Sequence, residues 1–154
     1  MAGNGRVRSS TTGLSSVSGR SFLDTNVLVY AYDTDARDKR KRAQTVLAEL
    51  PAGSAVVSAQ VLGEFFWTTT RRLRTPLPVL TATAAVTALA KLEVIPIDAA
   101  LVGRAIARSA SSQLAYWDAL IVEAALVAGC DTLLTEDLGA GVRYEGLTIR
   151  NPFA

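Results

Sequence analysis

From Ser21 onward this chain alternates between short apolar runs of strand length and longer segments of helical period, and that alternation limits the folds open to it. Ser21-Phe22-Leu23, Ser54–Ser58 (SAVVS), Glu93–Ile97 (EVIPI) and Thr132–Thr135 (TLLT) read as strands, with Leu147–Arg150 as a further one. Between them, Asn26–Tyr32 reads as an apolar helix. Arg37–Leu50 reads as an amphipathic helix with Ala43, Val46, Leu47 and Leu50 on one face, stopped by Pro51. Gln60–Arg72 carries the stripe Val61, Leu62, Phe65 and Phe66, and Val79–Lys91 is rich in Ala and Thr. Asp98 caps a helix running to about Ser109, and Trp117–Ala128 is apolar nearly all round, the pattern of a buried helix. Strands that alternate with helices make a parallel sheet covered on both faces, so the expected fold is a doubly wound α/β sandwich. With 154 residues there is room for one such domain.

Residues 1–20 break the pattern. They hold four glycines, five serines and three arginines but no acid, too little apolar surface to offset their ordering, and are expected to be a flexible, dispensable tail ahead of a domain spanning 21–154. Those arginines also account for the net charge of +2: without them the body has 13 bases against 14 acids. No window approaches the roughly 18 consecutive apolar residues of a membrane span, and the N-terminus lacks the apolar core of a secretory signal, so a cytoplasmic protein is expected.

Two counts restrict the chemistry. The chain has no histidine and one cysteine, Cys130. This excludes Ser-His-Asp catalysis, histidine acid/base catalysis and His- or Cys-cluster zinc, and leaves carboxylates, hydroxyls, Lys and Arg.

Ligand crevices of open α/β sheets lie outside the carboxyl ends of the strands. Asp24 follows the first strand and Asp137 stands two residues after the Thr132–Thr135 strand, while Glu64 and Asp118 lie near the starts of two helices. Each has an ordinary reading as well: Asp24 or Asp118 as a helix cap, Glu64 as a solvated helix residue, and Asp137 as a turn residue whose place Glu136 could take. Brought to one end of the sheet, four acids would repel unless a divalent cation neutralised them, and all-oxygen ligation favours Mg²⁺ or Mn²⁺. Such a site suits phosphodiester hydrolysis.

In order along the chain, LDTNVLVYAY (Leu23–Tyr32), SAQVLGEFFW (Ser58–Trp67), YWDALIVEAAL (Tyr116–Leu126) and GCDTLLTEDL (Gly129–Leu138) resemble the PIN-domain ribonucleases, and more closely the VapC-type toxins of bacterial toxin–antitoxin pairs. The resemblance covers nearly all of 21–150. It implies a PIN-like three-layer sandwich, a Mg²⁺- or Mn²⁺-dependent endoribonuclease and a cognate antitoxin as partner. The family's acidic quartet falls on Asp24, Glu64, Asp118 and Asp137, with Thr135 and Asn26 in support. Apolar residues on Asn26–Tyr32 and Val61–Trp67 exceed what one buried face needs. They are expected to form a groove for an amphipathic antitoxin helix that directs an Arg or Lys toward Asp24 and Asp118, and to favour a homodimer. Rival readings are a catalytically silent PIN-like binding module and a phosphotransferase using Asp33-Thr34-Asp35. The basic run Arg37–Arg42 is expected to be a solvated helix face and the apolar-flanked Trp67 and Trp117 to lie in the core.

Overall fold

A computed structural model describes residues 19–154, so residues 1–18 of the expected flexible tail lie outside the described residues. Gly19 and Arg20 are tied to the body. The Arg20 amide donates to Asp131 Oδ2 (3.0 Å), its carbonyl accepts from the Asp131 amide (2.9 Å), and its guanidinium reaches the Ala128 carbonyl and Glu93. Gly19 has φ +106°, and a Cβ there would fall 2.0 Å from Asp131 Oδ2, so only glycine admits this close approach.

The order of elements is β1 (Ser21–Leu23), α1 (Thr25–Tyr30), α2 (Arg37–Glu49), β2 (Ala55–Ser58), α3 (Ala59–Arg71), α4 (Val79–Leu89), β3 (Glu93–Ile95), α5 (Ala99–Ser111), α6 (Tyr116–Val127), β4 (Thr132–Leu134), β5 (Arg143–Tyr144) and β6 (Leu147–Arg150). The six strands form one sheet in the order β3-β2-β1-β4-β6-β5. All pairings are parallel except β5 with β6, a short antiparallel edge hairpin that periodicity does not announce because it is two residues long. The chain winds outward from β1 to β3, then crosses back to β4 on the other side of β1. With right-handed crossovers, reversing direction puts α1–α4 on one face and α5 and α6 on the other. The helix contacts agree, for α1, α2, α3 and α4 pack among themselves while α5 and α6 pack together.

The core is the inner surface of this sandwich. Phe22, Val56, Val57 and Leu133 come from the strands, Val27, Leu28, Val61 and Phe65 from one layer, and Leu101, Leu120 and Val122 from the other. Strands buried on both faces need no polar alternation, which explains the unbroken burial of β1 and β4. Asp24, Ser58 and Asp98 cap α1, α3 and α5 with their side chains. Two expectations fail. Trp67 and Trp117 stand 56% and 63% exposed. On α3 the inward row is Val61, Phe65 and Thr69, with Trp67 half a turn away; on α6 the buried run starts at Ala119, leaving Trp117 beyond the core in the first turn. Nor is the α2 basic run merely solvated, because Lys39, Arg40 and Arg42 bond back to Glu136, the Ala31 carbonyl and the Pro152 carbonyl.

α6 is buried along seven consecutive residues, one of them Glu123. Its carboxylate is met by Arg108 of α5, with Arg104 3.8 Å away, and Arg108 also holds Glu145 (2.9 Å). A buried charge stripped of its partner costs far more than the pair contributes. Arg108→Met should therefore destabilise the fold by about 3 kcal/mol in urea unfolding, and adding Glu123→Leu should recover most of that loss.

Candidate active site

The strand order reverses at β1 and β4, so their carboxyl ends open side by side onto a crevice. Asp24 ends β1 and is nearly buried. Its Oδ1 accepts the Thr25 amide (2.7 Å), which makes it the N-cap of α1, while its Oδ2 takes the Thr135 hydroxyl (2.7 Å) and the Asn26 amide (3.3 Å). The cap role and membership of the acid cluster are thus compatible, one carboxyl oxygen serving each. Asp137 lies in the irregular segment after β4, with Asn26 Nδ2 2.9 Å from its Oδ2 and its own amide donating to Thr135 Oγ1 (3.1 Å). Asn26 Nδ2 also meets Thr135 Oγ1 (3.2 Å), so one side-chain amide stitches the end of β1 to the end of β4.

Glu64 is one and a half turns into α3. Thr25 Oγ1 donates to its Oε2 (2.7 Å) and Gln60 Nε2 to its Oε1 (2.8 Å), and Gln60 also reaches the Trp117 carbonyl at 3.4 Å. This link joins α3 to the start of α6, where Asp118 sits. Asp118 is inside the first turn of α6, whose N-cap is Ala115, so it is not the cap itself. Periodicity gives no reason to select Thr25 and Gln60; the available signal is adjacency, since Thr25 follows Asp24 and Gln60 precedes Glu64 by one helical turn. Glu136, the alternative to Asp137, faces elsewhere. Its carboxylate is held by Lys39 Nζ (2.7 Å) and Tyr30 OH (2.7 Å), and the Lys39 ammonium draws its pKa below the usual carboxylate range against the opposing effect of burial.

Crowding of like charge shows at Asp24 and Asp118. Burial, helped by the charges of Asp137 and Glu64, pushes the Asp24 carboxyl up to about 6 despite its hydrogen bonds. Asp118 is raised as well, by partial burial and then by Asp137 and Glu64. Among the described residues no Lys or Arg forms an ion pair with any of the four. Asp24 caps α1 and Asp118 lies in the first turn of α6, where the helix dipole favours negative charge without neutralising it. The donor chemistry, all oxygen with no histidine or thiol nearby, fits a hard divalent cation. The spacing is looser than such an ion's shell: among the described residues, no three acidic or cysteine side chains gather tightly enough to grip an ion as they stand. Asn26 and Thr135 occupy the Asp24 and Asp137 oxygens instead. Beside the quartet a cleft of about 380 Å³ runs between α1 and α3, with Glu64 and Asp137 in its wall and Val29, Tyr30 and Leu73 further along.

Asp33 also lines that cleft, but Asp33-Thr34-Asp35 forms a turn after α1. Asp33 Oδ1 accepts the Asp35 amide (3.0 Å) and Asp35 Oδ2 accepts Thr75 Oγ1 (2.9 Å), which is a structural use of both acids.

The PIN domain profile matches residues 21–140. The chain belongs to the PIN domain family. No curated protein matches it. Solved structures share its fold at low identity. A chain of a toxin–antitoxin complex from Klebsiella pneumoniae is 20% identical, with a TM-score of 0.63 over 86% of this chain and 97% of that one. VapC20 of Mycobacterium tuberculosis, a Sarcin-Ricin loop cleaving toxin, is 19% identical, with a TM-score of 0.58 over 73% and 86%. A chain of VapBC2 from Rickettsia felis, bound to a DNA fragment from its promoter, is 20% identical, with a TM-score of 0.58 over 85% and 97%.

The raised Asp24 pKa has a consequence for stability. The folded carboxyl binds its proton more tightly than the unfolded one, so its contribution is fully present below about pH 4 and is lost as pH rises through about 6. The loss is on the order of 3 kcal/mol. In EDTA the wild-type melting temperature should fall from pH 5 to pH 7.5 relative to that of Asp24→Asn, whose side chain does not titrate; parallel curves for the two proteins would show that Asp24 is not strained.

Proposed function

We propose that this PIN domain is a divalent-metal-dependent endoribonuclease and the toxin of a toxin–antitoxin pair. The observation that carries the reading is that Asp24, Glu64, Asp118 and Asp137 come from four elements to the β1/β4 crevice and, among the described residues, pair with no Lys or Arg. Asp24, Asp118 and Asp137 would hold a Mg²⁺ or Mn²⁺ ion, and Glu64 would either join them or orient water. When bound, such an ion supplies the charge neutralisation and water activation that phosphodiester hydrolysis needs.

The chain's own residues set the geometry. Asn26 and Thr135 keep the Asp24 and Asp137 carboxylates facing one another across the strand ends, and Thr25 and Gln60 fix both oxygens of Glu64. Asp24 and Thr135 are both buried where they meet. With no histidine in the chain, no imidazole is available to protonate a leaving group or to promote attack by the RNA 2′-hydroxyl.

Toxin–antitoxin assemblies among the structures that share this fold support a protein partner. Of the two helices expected to offer that surface, only the Val61–Trp67 segment of α3 exposes large apolar side chains. α1 buries Val27, Leu28 and Val29, leaving little apolar surface to offer, whereas α3 exposes Phe66 and Trp67, and α4, packed on α3, exposes Val79 and Leu80. Apolar exposure on this layer suits an amphipathic antitoxin helix or a second copy of the chain. An Arg of the antitoxin directed at the quartet would compete with the cation.

Asn caps a helix about as well as Asp and keeps its shape. Asp24→Asn should therefore fold normally and lose RNA cleavage by at least about 100-fold in Mg²⁺, and EDTA should abolish wild-type cleavage with Mn²⁺ restoring it. Full activity of Asp24→Asn, or of wild type in EDTA, would contradict the proposal. A folded wild type that binds RNA without cleaving it in either ion would favour the silent binding module.

A further inference from the structure

Asp137 is the one quartet member carried by no helix cap, helix or strand. It stands in the irregular segment between β4 and β5, so something other than regular backbone must fix it. Its neighbour Glu136 faces away from the quartet and is held at both carboxyl oxygens. Tyr30 OH, at the end of α1, donates to Glu136 Oε1, and Lys39 Nζ, in the first turn of α2, donates to Oε2, both at 2.7 Å. Lys39 also donates to Tyr30 OH (3.1 Å) and lies 4.5 Å from the centre of the Tyr30 ring, which packs edge-on against Phe153 at 5.0 Å. The Glu136 amide donates to Asn26 Oδ1 (3.3 Å), the same side chain whose Nδ2 reaches Asp24 and Asp137. Glu136 and Asp137 are consecutive residues of one bend, so holding Glu136 at both its carboxylate and its amide places the backbone that carries Asp137.

Resting on the metal-site reading above, we propose that Tyr30, Lys39 and Glu136 form a clamp of positioning residues that sets Asp137 for cation binding. None of the three belongs to the quartet. The clamp acts through the backbone, as partners behind a metal ligand commonly do, and their loss typically weakens metal binding by about 10-fold or more. It ties α1, α2 and the segment after β4 to one carboxylate, so the last quartet member is set by packing on the far side of the loop.

Charge and position make opposite predictions. Lys39→Met removes a positive charge near the quartet, and by electrostatics alone Mn²⁺ would then bind more tightly. A clamp predicts the reverse. Tyr30→Phe removes one oxygen and no charge, so it decides the matter if Lys39→Met melts too low to assay. The experiment is Mn²⁺ titration of the full chain by calorimetry, with melting temperature and steady-state RNA cleavage measured on the same proteins. Expected are a roughly 10-fold weaker Mn²⁺ dissociation constant in both variants, an unchanged KM for RNA, kcat recovered at saturating Mn²⁺, and partial restoration by Lys39→Arg. Unchanged or tighter Mn²⁺ binding in both variants would overturn the clamp. With a lowered melting temperature that result would leave the three residues a structural role only, and with a raised KM it would make Lys39 an RNA-backbone contact. A wild-type chain that binds no Mn²⁺ at all would instead defeat the metal-site reading, and the clamp with it.

Discussion

Parallel pairing of β1 with β4 is the constraint from which the rest of the site follows. The register of Ser21 with Thr132 and Leu23 with Leu134 ends the two strands level, so the next residues, Asp24 and Thr135, meet at 2.7 Å. An acid after each strand is then an unavoidable juxtaposition of like charges. The fold tolerates it by directing hydrogen-bond donors, not cations, at the carboxylates: the Asn26 amide, the Thr135 and Thr25 hydroxyls, the Thr25 backbone amide and the Gln60 side chain. Donors of this kind lower a carboxylate pKa, yet Asp24 remains raised, so desolvation and mutual repulsion exceed them. A stable arrangement that stays electrostatically unsatisfied is what a protein needs if it is to bind a cation rather than replace one.

Much of this was legible in the sequence, for identifiable reasons. Strands buried on both faces leave short unbroken apolar runs, so β1, β2 and β4 stood out, and each quartet residue follows a strand or lies within the first two turns of a helix, near the sheet's carboxyl edge. Helix ends moved by only a few residues, because caps such as Ser58 and Asp98 and stops such as Pro51 act locally. What stayed hidden depends on separation along the chain. Nothing about Lys39 in a basic run, or Tyr30 in an apolar one, foretells that both meet Glu136 about a hundred residues later. The two tryptophans were placed wrongly because apolar neighbours in sequence are not neighbours in space: Trp67 faces away from the row that Phe65 occupies.

The two helical layers divide the labour. α5 and α6, locked by the buried Glu123 and its arginines, form a rigid back to the sheet, and α6 presents Asp118 from its first turn. The α1–α4 layer carries Glu64, the cleft, the basic side chains that bond inward and the exposed aromatics of α3. Substrate access and partner binding would thus fall on one layer while the other holds the sheet in place.

Anomalous scattering from crystals of the chain soaked in Mn²⁺ tests most directly whether the quartet is a cation site in a loosened, hydrogen-bonded state. The expected result is a peak coordinated by Asp24, Asp118 and Asp137, with the Asn26 amide displaced from at least one of the carboxyl oxygens it now holds. A map with no peak in the β1/β4 crevice, or with Mn²⁺ elsewhere while Asn26 keeps both Asp24 and Asp137, would contradict it.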